Sequence, residues 1–219
     1  MADFFREVDE DVRRDQLIQI WKQYQNWIIG AALLIVLGTA GWRLYDYLGQ
    51  KNIEAAGARY AAAQQLATAG KAGEAAAAFD AIAKDGAKGY ATLAQFANAY
   101  ALAGKDPKGA AAAYDAIANN ASVDPAYQEV ARLRGAYLRV DFDDPKDFEQ
   151  RYAAYASPDS PYRNAYRELL ALADIKRGDF AGATRWLELA AADPASPPAL
   201  RARADAFLTI VQGGAVPTK

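Results

Sequence analysis

The side chains whose types and spacing most suggest reaction chemistry are adjacent acids, Asp9-Glu10-Asp11 near the start and Asp143-Asp144 in the middle. Two carboxylates held together can pass a proton in general acid–base catalysis or share a divalent cation. Neighbours in sequence do not face each other on a helix, however, and an acid before proline, as in Asp144-Pro145, is the pattern of a helix start. Histidine and cysteine are both absent. That excludes Ser-His-Asp and Cys-His nucleophile systems, zinc sites built on His or Cys, and disulfides. The glycines around Gly70 and Gly178 lack the spacing and strand context of a phosphate loop and read as turn glycines. No catalytic, cofactor-binding or metal-ligating residue is assigned, and the expectation is a protein that is not an enzyme.

Recognition is the other chemistry the side chains offer. Arg132, Arg134, Arg139, Arg151, Arg163 and Arg167 are interleaved with Tyr127, Tyr137, Tyr152, Tyr155, Tyr162 and Tyr166. Arginine with tyrosine is the composition of protein-binding hot spots, able to clamp an acidic or extended polypeptide through bidentate hydrogen bonds and ring contacts. Arg132, Arg134, Tyr137, Arg163, Tyr166 and Arg167 are therefore the candidate partner-binding residues. The competing role is structural. Helical spacing suits most of the tyrosines to a core, and Asp141, Asp143, Glu149 and Glu168 can pair with the arginines along helix faces.

Such residues need elements to hold them, and the first element is unmistakable in composition. Gln23 to Trp42 carry no charged side chain. A helix of that length spans roughly 30 Å, the hydrocarbon thickness of a bilayer. Tyr24 and Tyr45, with Trp27 and Trp42 just inside them, are spaced as interfacial aromatic belts, and Arg43 can reach headgroup water. These five residues are the candidate membrane anchor. A buried core helix and a cleaved signal peptide are the competing readings; the polar residues ahead of the stretch favour an uncleaved anchor. Lys and Arg are balanced on the two sides of the span, so charge alone leaves the orientation open.

Residues 1–22 are expected to form a tail, either solvated or a short amphipathic helix using Phe4, Phe5, Val8 and Val12. Residues 23–45 form the anchor, 46–212 a repeat domain and 213–219 a flexible tail. Beyond residue 42 acids and bases are equal in number, which gives no electrostatic footprint for nucleic acid.

The repeat is visible as FDAIA at Phe79–Ala83, echoed 35 residues later by YDAIA at Tyr114–Ala118, with Tyr152 and Trp186 continuing the series. A period near 35 predicts stacked helical hairpins. The pairs fall at about 52–69 with 72–84, 88–103 with 107–119, 125–140 with 145–156, and 161–177 with 180–192, followed by a capping helix at 198–212. Gly70, Gly104 and Gly178 are expected to close first helices in the left-handed conformation, and Asp124-Pro125, Asp144-Pro145 and Ser160-Pro161 to open others. The fold class is thus all-α: an N-terminal transmembrane helix, then an α-solenoid of about four hairpins and a cap.

Two resemblances follow from particular residues. Gly178-Asp179-Phe180, Ala183, Leu187, Ala190 and Pro194 resemble a tetratricopeptide repeat. Val8-Asp9-Glu10-Asp11, Arg13-Arg14-Asp15-Gln16-Leu17 and the run from Trp21 to Ile29 are similar to the start of YfgM-type proteins, bacterial inner-membrane proteins with one span and a periplasmic repeat domain. That resemblance implies a cytoplasmic N-terminus, periplasmic repeats, and association with the SecYEG translocon and a membrane-anchored periplasmic chaperone. The function it implies is an interaction scaffold linking export to chaperones. An accessory or assembly subunit of another inner-membrane complex is the alternative.

Overall fold

The computed structural model describes residues 2–213, with the side chains of all of these except 2–17, 19, 20 and 88. The proposed apolar face of Phe4, Phe5, Val8 and Val12 and the tail beyond Gly213 lie outside that description. Among the described residues every regular element is helical. The helices are α1 (Ala2–Thr68), α2 (Ala72–Asp85), α3 (Lys88–Ala103), α4 (Pro107–Ala118), α5 (Pro125–Phe142), α6 (Pro145–Tyr152), α7 (Arg163–Lys176), α8 (Phe180–Ala192) and α9 (Pro198–Gln212), with one 3₁₀ turn at Ala153–Ala156. The chain divides into two units, one ending at Ala55 and one beginning at Ala56, so α1 contributes residues to both.

In the first unit, Trp27, Leu34, Ile35, Leu37, Trp42 and Tyr45 are all exposed. An apolar stretch of mean hydropathy 1.7 has none of its surface covered by protein. Thr39 donates its hydroxyl to the Ile35 carbonyl at 2.8 Å and to that of Val36 at 3.0 Å, leaving no polar hydrogen of the side chain unsatisfied. Length and composition therefore allow this helix to cross a membrane.

The second unit is built from small side chains opposed to large ones. Ala63, Ala75 and Ala94 are fully or almost fully buried against Phe79 and Ile82, with Tyr60 beside them. The next layer sets Ala99 and Ala131 against Tyr114 and Ile117. The third sets Ala136 and Ala173 against Phe148, Tyr152, Tyr166 and Leu169, and the last sets Ala183, Ala190 and Ala204 against Leu187 and Leu200. Alanine lets two helix backbones approach while the large neighbour fills the remaining space. Each first helix serves two layers: α3 gives Ala94 to one and Ala99 to the next, and α5 gives Ala131 and then Ala136. Layers that share a helix with their neighbours only are the construction of a solenoid.

The repeated motif has a polar function as well. In FDAIA, Asp80 of α2 accepts from the Asn98 amide of α3 at 2.5 Å, and in YDAIA, Asp115 of α4 is ion-paired with Arg139 of α5. The same position in successive repeats therefore ties a second helix to the first helix of the next hairpin.

Helix ends follow the sequence in most places and depart from it in three. Asp124 and Asp144 accept from Ala126 N–H at 2.8 Å and Lys146 N–H at 2.9 Å, each with proline at the first helical position. Asp106 and Asp179 cap α4 and α8 in the same manner through Gly109 and Gly182 N–H. Ser160 does not cap: α7 begins at Arg163 after Tyr162, and the Ser160 hydroxyl is buried without a partner. Gly104 does not adopt the left-handed conformation found at Gly70 (φ 77°) and Gly178 (φ 79°), but has φ −77°. One extra residue separates Gly104 from Ala110, and the amides of Lys105 and Asp106 both bond back to the Leu102 carbonyl, closing the helix without a positive φ. The helix expected at 145–156 breaks into α6 and the 3₁₀ turn, because Ser157 precedes Pro158 and is held extended at ψ 156°.

Candidate protein-interaction groove

A groove of about 770 Å³ opens in the first two hairpins. Its walls come from four helices and the end of α1. Tyr60 and Gln64 of α1, Ala75 and Phe79 of α2, Phe96 and Tyr100 of α3, Tyr114 of α4 and Arg134 of α5 are among the residues that line it. Its rings pack on one another and on rings beside it: Tyr60 lies 5.4 Å from Phe79 and 5.8 Å from Tyr90, and Phe96 lies 5.8 Å from Tyr114 and 6.3 Å from Tyr127 between centroids. Tyr100 is 73% exposed. Pockets of this volume with an apolar lining and a few polar groups are where ligands and anchor side chains settle.

Of the six residues proposed from sequence as partner-binding, Arg134 lines this groove and Tyr137 is exposed nearby on α5. Burial raises the pKa of the Tyr114 and Tyr137 hydroxyls, and the Arg134 guanidinium between them opposes that shift. The remaining four are occupied by the fold. Arg132 is ion-paired with Glu129 and lies 4.9 Å over the Tyr155 ring. Arg163 and Arg167 bond to Asp193 at 2.6 and 3.0 Å, and Arg167 also donates to the Ala156 carbonyl at 3.2 Å. Tyr166 is completely buried and stacks on Tyr152 at 5.9 Å. Burial pushes the Tyr152 hydroxyl up to about 12 and raises Tyr166 as well, so both are neutral core side chains.

Acids on helix faces do pair with arginines: Arg139 with Asp143 at i,i+4, and across elements Arg177 with Glu149 at 2.8 Å and Arg203 with the buried Glu168 at 2.6 Å. Tyr60, Phe79 and Tyr100 were not assigned to a binding surface from sequence, where Phe79 marked the repeat. Helical spacing sets Tyr100 one turn beyond Phe96 and so suits it to the same packed face, but the structure leaves it exposed.

The side chains of Asp9, Glu10 and Asp11 lie outside the described residues. Asp174 is buried, its pKa raised by that burial, and it accepts an ion pair from Arg177 at 2.7 Å. Among the described residues no group of three or more acids is placed to hold a metal ion. Asp143 and Asp144 are used apart, one beside Arg139 and the other as a helix cap.

Comparison with curated proteins and with solved structures found no match to the chain. A family of proteins with a tetratricopeptide repeat-like domain does match, over residues 19–169, from the apolar stretch into α7. With stacked hairpins, alanine-to-aromatic layers and that match together, the chain belongs to the tetratricopeptide repeat-like domain family, whose members are typically non-catalytic protein-interaction modules.

Proposed function

We propose that this protein is a membrane-anchored interaction scaffold, held by the stretch from residue 23 to 45 and presenting its repeat domain to partner proteins. The observation that carries the reading is the apolar stretch of mean hydropathy 1.7 with no part of it buried, followed in the same chain by a repeat domain. Tyr24, Trp27, Trp42, Arg43 and Tyr45 are its interfacial residues in this reading, all of them exposed. Anchoring raises the effective concentration of the repeats near other membrane proteins, so modest intrinsic affinity suffices.

The finer assignment rests on the resemblance of the segment before Ile29 to YfgM-type proteins. It makes the chain an ancillary subunit of the SecYEG translocon in the bacterial inner membrane, with a cytoplasmic N-terminus and periplasmic repeats that pass exported chains to a membrane-anchored chaperone. Photo-crosslinkers at Arg59 and Arg134, followed by purification in mild detergent, test it. Recovery of translocon or chaperone subunits is the expected result; recovery of neither overturns the assignment. A second reading, an accessory or assembly subunit of another inner-membrane complex, is favoured by Gly30, Gly38 and Gly41, around which space for a Cβ is open. If replacing these glycines by leucine releases every partner, docking through the span is the better account.

A further inference from the structure

We propose that α1 pairs in parallel with α1 of a second copy of this chain, along a seam from Trp27 to Ala55; the pairing rests on the anchor of the scaffold reading and adds what that anchor holds. Nearly every residue of α1 between these two is exposed, so exposure alone selects no face. Spacing does. Trp27, Leu34, Gly41, Leu48 and Ala55 recur every seven residues, and Gly30, Leu37, Leu44 and Lys51 recur at the same interval, three residues behind. These are the a and d positions of a heptad repeat, the pattern on which two helices wind round each other in a left-handed supercoil. Packing of that hand is common between spans in a bilayer, where small residues let backbones approach, and a Cβ added at Gly30 or Gly41 would meet nothing within its own chain.

Beyond Trp42 polar residues sharpen the choice of face. Asp46 and Gln50 are hydrogen bonded to each other at 3.1 Å, and neither stands at an a or d position. Lys51 is the one charged residue on the seam, and its Nζ lies 5.1 Å over the ring of Tyr47, a position beside the seam. A single polar side chain on such a seam fixes register. In the repeat domain taken by itself, Ala56, Tyr60 and Ala63 are used by the hairpin packing, while Ala58, Ala62 and Ala69, which continue the spacing, are exposed.

Charge selects a second copy as the occupant. Glu54 stands at a g position and Arg59, five residues later, at the next e position, and both are exposed. In two parallel strands a g side chain meets the following e side chain of the other strand, and such pairs set partner choice and orientation. Two-fold symmetry turns this one complementary pair into two, one on each flank. A membrane gives two copies of a single-span chain the same direction, as parallel pairing requires.

The chain has no cysteine, so single cysteines report the pairing in membranes from cells expressing the full chain. A disulfide needs Cα atoms within about 7 Å, which makes oxidation with copper phenanthroline selective for the seam. Leu44→Cys and Leu48→Cys are expected to give a covalent dimer, and Asp46→Cys and Ile53→Cys, on the far side of the helix, to give little. In the Leu48→Cys chain, Glu54→Arg is expected to lower the crosslinked fraction about threefold and a further Arg59→Glu to restore it. Equal crosslinking at all four positions, adducts with other chains in place of the dimer, or a fraction that Glu54→Arg leaves unchanged overturns the proposal. So does a double reversal that fails to restore the dimer. Chains that stay in the membrane without crosslinking sink the pairing alone; chains that crosslink on the seam in the soluble fraction sink the anchor alone.

Discussion

Asp193 shows most clearly how single side chains serve this fold. Its carboxylate accepts from Arg163 at 2.6 and 3.1 Å, from Arg167 at 3.0 Å and from the Ala195 amide at 2.9 Å, binding α7 to the loop that leaves α8. The Arg163 hydrogen bonds, followed by that of the Ala195 N–H, hold its pKa well below the usual carboxylate range. An acid whose folded pKa is depressed contributes stability above its unfolded pKa, about 3.9, and loses that contribution as the pH falls below it. Thermal melting of the native chain and of Asp193→Asn is thus expected to show a gap in Tm at pH 6 that closes between about pH 4 and pH 2. A gap that stays constant with pH would show that the carboxylate's charge is not what matters. None of this was legible from sequence, where Arg163 and Asp193 stand 30 residues apart. Pairing at i,i+4 spacing, as of Arg139 with Asp143, can be read from a sequence; pairing between repeats waits on the packing.

At the scale of elements, turn chemistry decides where hairpins begin and end. Asp124-Pro125 and Asp144-Pro145 announced their helices because each carries both a capping acceptor and a residue that needs no amide partner. Ser160-Pro161 carries the same letters but sits in a tighter turn, where the Ser160 carbonyl accepts from the Arg163 amide at 3.3 Å and the hydroxyl is left out. The three hairpin glycines looked alike for the same reason, and one residue of extra loop separates them physically. Gly178→Ala is expected to cost about 1 kcal/mol, because a Cβ is strained at φ 79°. At Gly104, with φ −77°, the same substitution is expected to be neutral or slightly stabilising. Urea titration of both variants checks this. Equal destabilisation of the two would mean that the closing turns are not built as described.

For the whole molecule, the period of the repeat and the length of the apolar stretch carried most of the fold into view, because both are one-dimensional properties of a chain. The groove was less accessible. It is assembled from Tyr60, Phe79, Phe96, Tyr114 and Arg134, side chains more than 70 residues apart at the extremes, and no local pattern announces their convergence. Sequence reading placed the candidate binding residues on α5 and α7, where arginine and tyrosine are dense; Arg134 of α5 lines the groove, while Tyr166 and Arg167 of α7 are buried. The anchor is the feature on which the scaffold role depends, since the groove acts near a membrane only if the chain is held there. Alkaline carbonate extraction of membranes from cells expressing the full chain addresses it directly, with a Leu33→Lys, Leu37→Lys variant beside it. Each lysine at the centre of a span costs about 2.5–3.5 kcal/mol on insertion scales. The native chain is expected to stay in the membrane pellet and the variant to leave it; native protein in the soluble fraction, or a variant that pellets equally, would contradict the account.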